Sequence, residues 1–487
     1  MAILRDMLYG LGTVVTAPYW GYRMLRTGKW RTDWRGRFGH VTFLGAPSRQ
    51  GGAQATRGAP PCRDGAQEQQ ATSTQRADAT ILIHAVSVGE VNATRQLIAK
   101  LTACGEGEAP AELKTQGDSR LGGSLALPSN ASPFSRIAPP RIVISTTTDT
   151  GFARAVELFG KQHTVVRYPL DFTRCVRRFL DAVRPDVVAL VELEVWPTFV
   201  EECDRRGIPV CVVNGRLSAR SFKRYKLIRP LMRSSFAALR AAAVQTPAYA
   251  ERFIAMGAAK DRVSVTDSMK WDTAKIEDPG TVAGATELAS AMGIDRGKPL
   301  IVAGSTGPGE EEMLIRAKPA GAQLLIAPRK PERFEEVARL MSQPVRRTQH
   351  RDGTSRSIDG TEAFLLDTLG ELRKAYALAD VAIVGRSFIN LYGSDPIEPI
   401  ALGKPTIIGP RYGDFEDIVN AFRAEAGIYV STKPCDAAAE LLEDHEQARA
   451  LAENGRKVIL SRQGATDRHV KLILDLIKDR RPGVHHG

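Results

Sequence analysis

Short apolar runs recur along the chain, and segments in which apolar residues return with helical spacing separate them. Strands buried on both faces of a parallel sheet have continuous hydrophobic sequences, so each run predicts a buried strand. In the first half the runs occupy 81–86, 141–146, 186–192, 210–215 and 241–246, with helix-like segments at 90–102, 149–160, 171–183 and 247–256. This alternation predicts a parallel sheet covered by helices on both faces.

The alternation is interrupted over 275–295 and then resumes. The second series of apolar runs occupies 299–305, 323–328, 363–367, 380–385, 405–410 and 427–431. Two such series predict an α/β fold of two Rossmann-like, doubly wound domains, the first spanning 41–275 and the second 276–487. The last helical segments, 446–481, could pack back across the junction.

Two stretches show neither the period of two residues that is typical of strands nor the period of 3.6 residues that is typical of helices. Residues 45–79 are rich in Gly, Ala, Gln, Arg and Pro, residues 104–140 are rich in Gly, Ser, Pro and Ala, and 45–79 has little apolar content. Such segments cannot bury enough apolar surface to offset the entropy of ordering, so we predict disordered surface insertions in the first domain.

The N-terminal segment, residues 1–40, is the candidate for membrane contact. Its stretch 7–25 carries no acid and one base, and Tyr19, Trp20 and Tyr22 are residue types favoured at membrane interfaces. The stretch is only about long enough to span a bilayer. We expect a membrane-anchor helix that lies in the membrane or barely spans it; an ordinary helix packed on the body is the alternative.

Charge narrows the choice of partners. The formal net charge is +12, and residues 214–240 carry eight Lys/Arg and no acid. This run fits an anionic membrane surface or lipid phosphates, or else a solvated helix face. Basic motifs with interleaved aromatics are missing from the sequence, so we expect no nucleic acid partner. Six scattered cysteines without C-x-x-C spacing favour neither a disulfide scaffold nor a zinc site.

Loops after predicted strands of the first half carry candidate chemistry. Glu90 opens a helix and is either a general base or a first-turn acid favoured by the helix dipole. Glu192 and Glu194 end an apolar strand, where they would point the same way, and buried acids are costly unless paired or used. Lys270 could meet a phosphate or a sugar carboxylate. The loop 145–151 either caps a helix or holds an anion.

The second half has its own loops of this kind. The glycine-bearing turn 304–312 places backbone N–H groups at a helix start, as phosphate-binding loops do. The segment 327–334 puts Arg329 after a strand, and 367–372 has a helix-start pattern. Glu398 could accept hydrogen bonds from ribose hydroxyls, since a carboxylate suits a vicinal diol.

Several common catalytic motifs are missing from the sequence. It contains no D-x-D, no H-E-x-x-H and no G-x-S-x-G, and its eight histidines lack metal-ligand spacing. We therefore expect a reaction without a metal cofactor, in which Arg, Lys and helix N-termini stabilise a phosphate leaving group.

Taken in order, these motifs resemble the 3-deoxy-D-manno-octulosonic acid (Kdo) transferases of lipid A biosynthesis. The matching segments are HAVSVGE (84–90), STTTDTG (145–151), PLDF…RRFL (169–180), VELEVWP (191–197), NGRLSARS (214–221), SMKWD (268–272), APRKPERF (327–334), DTLGEL (367–372), YALADVAIVG (376–385) and DPIEP…GKP…GP (395–410). Ten motifs in one order are far more specific than any one of them.

The resemblance implies an inverting, B-type glycosyltransferase that moves Kdo from CMP-Kdo to a lipid A precursor, lipid IVA, and releases CMP. It places the reaction at the cytoplasmic face of a Gram-negative inner membrane. It also implies Glu90 as the general base, with Glu192 and Lys270 stabilising the transition state. The CMP-contacting positions implied in the same way are Pro328, Arg329, Leu369, Gly370, Glu371, Asp395, Pro396, Ile397 and Glu398.

The sequence departs from the family pattern on the nucleotide side. Arg386 stands where the family usually has the second glycine of G-G-S, and Gly307 replaces an expected histidine. The alternatives are another B-type transferase or an epimerase that uses a uridine nucleotide, and a non-enzymatic protein that binds membrane surfaces.

Overall fold

The computed structural model describes residues 32–43, 79–104, 140–342, 344–349 and 362–479, with eight single positions in the first 31 residues. The chain divides into two compact units. Unit 1 comprises residues 1–269 and 464–487, and unit 2 comprises residues 270–463.

Unit 1 is built on a seven-stranded parallel sheet. Its strands are β1 Thr80–His84, β2 Arg141–Thr146, β3 Thr164–Arg167, β4 Val187–Val191, β5 Val210–Gly215, β6 Ala241–Val244 and β7 Val263–Val265. Their order in the sheet is β3-β2-β1-β4-β5-β6-β7, and every pairing is parallel. The order reverses between β1 and β4, which is the topological switch point where open α/β sheets bind ligands.

Helices cover both faces of this sheet. They are α1 Trp34–Arg37, α2 Val88–Ala93, α3 Arg95–Ala103, α4 Asp149–Phe159, α5 Thr173–Val183, α6 Pro197–Arg205, α7 Ala219–Leu227, α8 Arg229–Ala238 and α9 Pro247–Met256. Alternate residues of the strands enter two separate apolar clusters, as the period of two requires.

Unit 2 repeats the plan. Its strands are β8 Leu300–Thr306, β9 Gln323–Pro328, β10 Val345–Arg346, β11 Ala363–Leu365, β12 Val381–Val384, β13 Thr406–Ile408 and β14 Tyr429–Val430. They form a parallel sheet in the order β10-β11-β9-β8-β12-β13-β14. Its helices are α10 Ala285–Met292, α11 Glu310–Arg316, α12 Phe334–Leu340, α13 Leu372–Leu378, α14 Ile397–Ala401, α15 Glu416–Ala424, α16 Pro434–Glu443 and α17 His445–Arg462. The predicted pair of Rossmann-like domains is therefore present.

The domain limits differ from the predicted ones. The chain enters unit 2 at residue 270 rather than 276, and the last helix, α18 Ala465–Asp479, belongs to unit 1 rather than to the second domain. Its Val470, Ile473 and Leu474 join an apolar cluster of the first sheet. Burial of this face explains why the C-terminal segment returns to unit 1.

Two predictions concern residues that the structure does not describe. The insertions 45–79 and 104–140 lie outside the described residues except at their outermost positions, and most of 7–25 does too. Among the described residues, no helix combines the length and the apolar content that crossing a bilayer requires.

Candidate functional site

The loops that follow β1 and β4 bring three carboxylates together in unit 1. Glu90 lies in the first turn of α2, where Ser87 caps the helix by accepting the Glu90 N–H at 3.3 Å. The Glu90 carboxylate accepts the Ser87 hydroxyl at 2.7 Å and the Val86 N–H at 2.8 Å. These contacts hold the carboxylate in one place at the end of β1 and leave it half-buried.

Glu192 and Glu194 do not continue β4, and the prediction that they lie in a strand is wrong. The strand ends at Val191, and Glu192 adopts a positive φ of 62° while its N–H donates to the Val213 carbonyl at 3.0 Å. This left-handed residue turns the chain toward α6. The backbone cost of a non-glycine residue there is of order 1 kcal/mol, which packing around the turn must offset.

Glu194 is enclosed by aromatic groups. Its Oε2 accepts the Trp196 indole N–H at 2.8 Å and lies 3.9 Å from Nε2 of His84, a fully buried residue at the end of β1. The His84 ring stacks on Tyr168 with 3.7 Å between centroids. Burial raises the pKa of Glu194 to about 7. The Trp196 hydrogen bond opposes this rise, and the charges of Glu90 and Glu192 add to it. Glu194 therefore interacts with both of the other carboxylates, Glu90 and Glu192.

The loop 145–151 acts as a helix cap. The Thr148 hydroxyl accepts the Gly151 N–H at 3.1 Å and donates to the Val86 carbonyl at 2.7 Å. A Cβ on Gly151 would lie 2.6 Å from that carbonyl, so glycine is required where α4 meets the β1 loop. Asp149 forms an ion pair with Arg167 at 2.8 Å.

In unit 2, a carboxylate of the turn 304–312 ties this turn to another loop. Glu310, fully buried in the first turn of α11, accepts the N–H groups of Gly307 at 2.9 Å, Arg386 at 2.6 Å and Phe388 at 3.0 Å. One N–H of the turn, that of Gly307, therefore donates to the protein's own carboxylate. This carboxylate ties the loop after β8 to the loop after β12.

A buried ion pair stabilises the neighbouring loop. Arg333 donates to Glu311 at 2.5 Å, and Glu311 also accepts the Thr306 hydroxyl at 2.8 Å. Pro328 is buried at the end of β9, whereas the next residue, Arg329, is exposed. Arg329 makes no side-chain hydrogen bond or ion pair with the described residues, so its guanidinium is available to an anion.

The loop 367–372 is fixed by charges. Leu369 is 73% exposed, and Gly370 has a φ of 85°. The Glu371 carboxylate accepts hydrogen bonds from Thr368, Arg347 and Lys374 at 2.6–3.3 Å. Burial alone would raise the pKa of Glu371, but these donors lower it to about 2. The side chain of Glu371 thus stabilises the loop through protein contacts. A ligand contact at this position would involve the backbone of the loop.

Asp395 and Glu398 flank the start of α14. Asp395 accepts the Ile397 N–H at 3.0 Å, and buried Pro396 and Ile397 fix this turn. Desolvation by the surrounding protein raises the pKa of Asp395, and the charge of Lys270 opposes the rise. Burial likewise raises the pKa of Glu398.

Lys270 belongs to the same neighbourhood in unit 2. Its Nζ lies 4.8 Å from the centre of the Phe415 ring, a cation–π contact that orients the ammonium group. Unit 2 thus groups Lys270, Asp395 and Glu398, while Glu90 and Glu192 belong to unit 1.

Within the described part of the chain, no three His, Cys, Asp or Glu side chains are arranged to hold a metal ion.

Residues 135–273 match the family model described as 3-deoxy-D-manno-octulosonic-acid transferase (kdotransferase). The 3-deoxy-D-manno-octulosonic acid transferase of Haemophilus influenzae is 30% identical over 347 residues, covering 69% of this chain and 79% of that protein. The chain belongs to the Kdo transferase family. The Bordetella pertussis enzyme of the same name is also 30% identical, over 82% of this chain and 87% of its own length.

Family membership confirms a glycosyltransferase acting in Kdo transfer for lipopolysaccharide biosynthesis, and it does not favour the uridine-nucleotide alternative. Among solved structures, the UDP-GlcNAc 2-epimerase of Neisseria meningitidis is similar at a TM-score of 0.51 and 12% identity, covering 81% of this chain and all of that one. At that identity the likeness concerns the fold alone.

Sequence reasoning missed three residues of these sites. His84 closes an apolar run, and a histidine at such a strand end was a usable signal. Glu310 and Glu311 belong to an acidic run at a helix start, which looks like a simple complement to the helix dipole. Their burial depends on loops distant in the chain.

Proposed function

We propose that this Kdo transferase moves Kdo from CMP-Kdo to a lipid A precursor, lipid IVA, with inversion at the anomeric carbon and release of CMP. Membership in the Kdo transferase family carries the proposal. The acceptor hydroxyl forms a bond to the anomeric carbon while the bond from that carbon to the CMP phosphate oxygen breaks. The hydroxyl proton passes to a base, and the bonding electron pair leaves with CMP.

Glu90 is the proposed base. Its carboxylate is held by Ser87 and Val86 at the end of β1, and each oxygen keeps a lone pair for an incoming hydroxyl. Glu192, on the adjacent β4 loop, would stabilise positive charge that develops on the sugar, since glycosyl transfer has an oxocarbenium-like transition state.

The donor nucleotide is proposed to bind unit 2. Arg329 offers an exposed guanidinium after β9 that pairs with no described residue, together with Pro328. The backbone of Leu369, Gly370 and Glu371 forms a second contact. Asp395, Pro396, Ile397 and Glu398 form a third, in which Glu398 would hold ribose hydroxyls.

Lys270 would neutralise the departing phosphate. No metal cofactor is proposed, because cationic side chains can supply this stabilisation.

An anionic inner-membrane surface, on its cytoplasmic face, is the proposed location. The α7 helix buries none of its residues, and Leu227 and Ile228, at the end of α7, are 83% and 47% exposed. Arg224, Lys226 and Arg229 stand beside them in the chain. Exposed apolar side chains flanked by Lys and Arg suit a membrane surface of acidic headgroups. Each Lys or Arg near such a surface contributes about 1 kcal/mol to the binding free energy.

The transfer assay tests the reaction. Labelled Kdo would be transferred from CMP-Kdo, generated in situ, to a tetraacylated lipid A precursor in detergent. Glu90→Gln should lower the rate by about 10²–10⁴-fold, because it removes a general base while keeping hydrogen-bonding capacity. Glu157→Gln, on an exposed face of α4, is the matched control and should be unaffected. Near-wild-type transfer by Glu90→Gln would refute the base, and no transfer by folded wild type would refute the reaction.

Vesicle sedimentation tests the membrane surface. The full chain should bind phosphatidylglycerol-containing vesicles more tightly than phosphatidylcholine vesicles, and Leu227→Asp should weaken that binding. Leu460→Asp changes a leucine that is 60% exposed on α17 and serves as the control. Equal binding by both variants would remove Leu227 from the interface.

A further inference from the structure

Glu90, Glu192 and Glu194 form the carboxylate trio of unit 1. The family resemblance gives a role to the first two but none to Glu194. Its Oε2 accepts the indole N–H of Trp196 and faces Nε2 of His84 at 3.9 Å. The His84 side chain is completely buried, and its Nε2 has no hydrogen-bond partner at normal distance among the described residues. A buried, unpartnered ring nitrogen is costly, so one directed at a carboxyl needs an explanation.

The tautomer of His84 follows from its other nitrogen. Nδ1 lies 3.1 Å from the Ser145 carbonyl oxygen and 3.0 Å from the Ser145 hydroxyl. A carbonyl oxygen can only accept, so Nδ1 carries the hydrogen and Nε2 has a free lone pair. Burial lowers the pKa of His84 to about 3, which keeps the ring neutral. Nε2 is therefore an acceptor, and a protonated carboxyl is the partner that it fits.

Other charged and titratable groups around Glu194 favour the same state. Glu90 and Glu192 place negative charge beside it. Burial raises the pKa values of Tyr168 and Tyr225, and the charge of Glu194 adds to both rises. Like charges and low solvent access both disfavour a third anion at this position.

We propose that Glu194, held between His84 and Trp196, is a positioning residue for Kdo transfer that keeps a proton within the carboxylate trio and acts through Glu90 and Glu192. The inference rests on the proposed function. When Glu194 is neutral, its carboxyl faces the His84 Nε2 lone pair across 3.9 Å without a repulsive charge, and the three carboxyl groups carry two negative charges instead of three. The proton of the acceptor hydroxyl still goes to Glu90, and Glu194 takes no part in bond making or breaking.

The neutral form is the competent one. Both substrates are anions, since the donor carries a carboxylate and a phosphate and the acceptor carries phosphates. Ionisation of Glu194 adds a third charge that repels such ligands and disturbs the contact with His84. The value of kcat/KM should therefore fall as pH rises through about 7, where Glu194 loses its proton.

The test is the pH profile of kcat/KM for three enzymes. Wild type should lose activity above about pH 7. Glu194→Gln keeps a neutral side chain of the same shape, so at about pH 8 it should retain activity that wild type has lost about tenfold. Trp196→Phe removes the hydrogen bond that lowers the pKa of Glu194 and should move the wild-type inflection to higher pH. Glu157→Gln should keep the wild-type profile.

Infrared difference spectra separate this inference from the proposed function. Between about pH 5 and pH 9, purified wild type should show loss of a protonated-carboxyl band that Glu194→Gln lacks, whether or not Kdo is transferred. An unchanged inflection in Glu194→Gln, a shift to lower pH in Trp196→Phe, or identical infrared bands in both proteins would overturn the inference. Absence of transfer with the band difference present would count against the reaction alone.

Discussion

Two glutamates at the loop ends of the two sheets have opposite chemistry. In unit 1, burial together with the charges of Glu90 and Glu192 raises the pKa of Glu194 to about 7, and its nearest polar partners are a neutral indole and a neutral imidazole. In unit 2, burial acts on Glu371 as well, yet its hydrogen bonds to Thr368, Arg347 and Lys374 lower its pKa to about 2. The hydrogen-bond partners therefore account for the opposite pKa shifts of Glu194 and Glu371.

The same contrast extends to the rest of each unit. The carboxylates that frame the loops of unit 2 are compensated: Glu310 by three backbone N–H groups, Glu311 by Arg333 and Asp367 by Arg346. Carboxylates with such partners hold a loop in shape, whereas Glu194 lies beside two other carboxylates that raise its pKa further. Asp395 and Glu398 are the exceptions in unit 2, because burial raises the pKa of both.

Removing a compensating charge from unit 2 should have the largest effect. Arg333 and Glu311 are 10% and 0% exposed, so Arg333→Met would leave a carboxylate buried without its cation. We expect a loss of about 3–5 kcal/mol in the free energy of unfolding, measured by chemical denaturation.

Arg316→Met is the matched control for this change. Arg316 pairs with Glu312 on the exposed side of α11, with side chains 80% and 48% exposed. Its loss should change stability by no more than about 0.5 kcal/mol. Equal losses in the two variants would mean that the buried pair does not stabilise unit 2.

The hydrophobic pattern predicted the two sheets because their central strands are buried on both faces. Each apolar run named in the sequence forms a strand in the structure. The strands β3, β7 and β10 were missed, and each lies at an edge of its sheet. β7 is largely exposed and has a central serine. Such strands form by pairing with a neighbour, which leaves little trace in their own sequence.

The candidate site was predictable in its residues but not in its geometry. The motifs located Glu90 and Glu192 just after strands, and the structure places them there. Lys270 lies five residues beyond the end of β7, at the start of unit 2. The left-handed backbone of Glu192 was not predictable, because such conformations are expected at glycine. The hydrogen bonds of Glu310 could not be predicted either, because two of their donors, Arg386 and Phe388, lie about 76 residues away in the chain.

Replacing Glu194 by glutamine should have the next largest effect on the free energy of unfolding, and it should stabilise the protein rather than destabilise it. The pKa of Glu194 is raised from 4.5 to about 7 in the folded state, so the folded protein holds a proton that the unfolded chain releases. Stability from this proton is complete below pH 4.5 and is lost as pH rises through 7. Glu194→Gln should therefore be more stable than wild type at pH 8 by on the order of 2 kcal/mol, at about 1.4 kcal/mol per pKa unit and reduced because the side chain is 21% exposed.

Urea denaturation at pH 5 and pH 8 measures this difference. The gain should shrink toward zero at pH 5, where wild-type Glu194 is also protonated. A gain that is equal at both pH values would come from packing rather than from ionisation.

Removing Arg347 tests the opposite case with the smallest expected effect. The pKa of Glu371 is depressed from 4.5 to about 2, so its contribution to stability is present above pH 4.5 and is lost as pH falls through 2. Arg347→Met removes one donor but leaves Thr368 and Lys374, and should cost about 1 kcal/mol at pH 7. Because wild type loses the same contribution on acidification, the two proteins should converge between pH 4 and pH 2 in denaturation experiments. If the difference instead stays constant with pH, the Arg347 side chain stabilises the loop by packing, and Glu371 would not owe its acidity to this cation. The contrast with Glu194 would then rest on Thr368 and Lys374 alone.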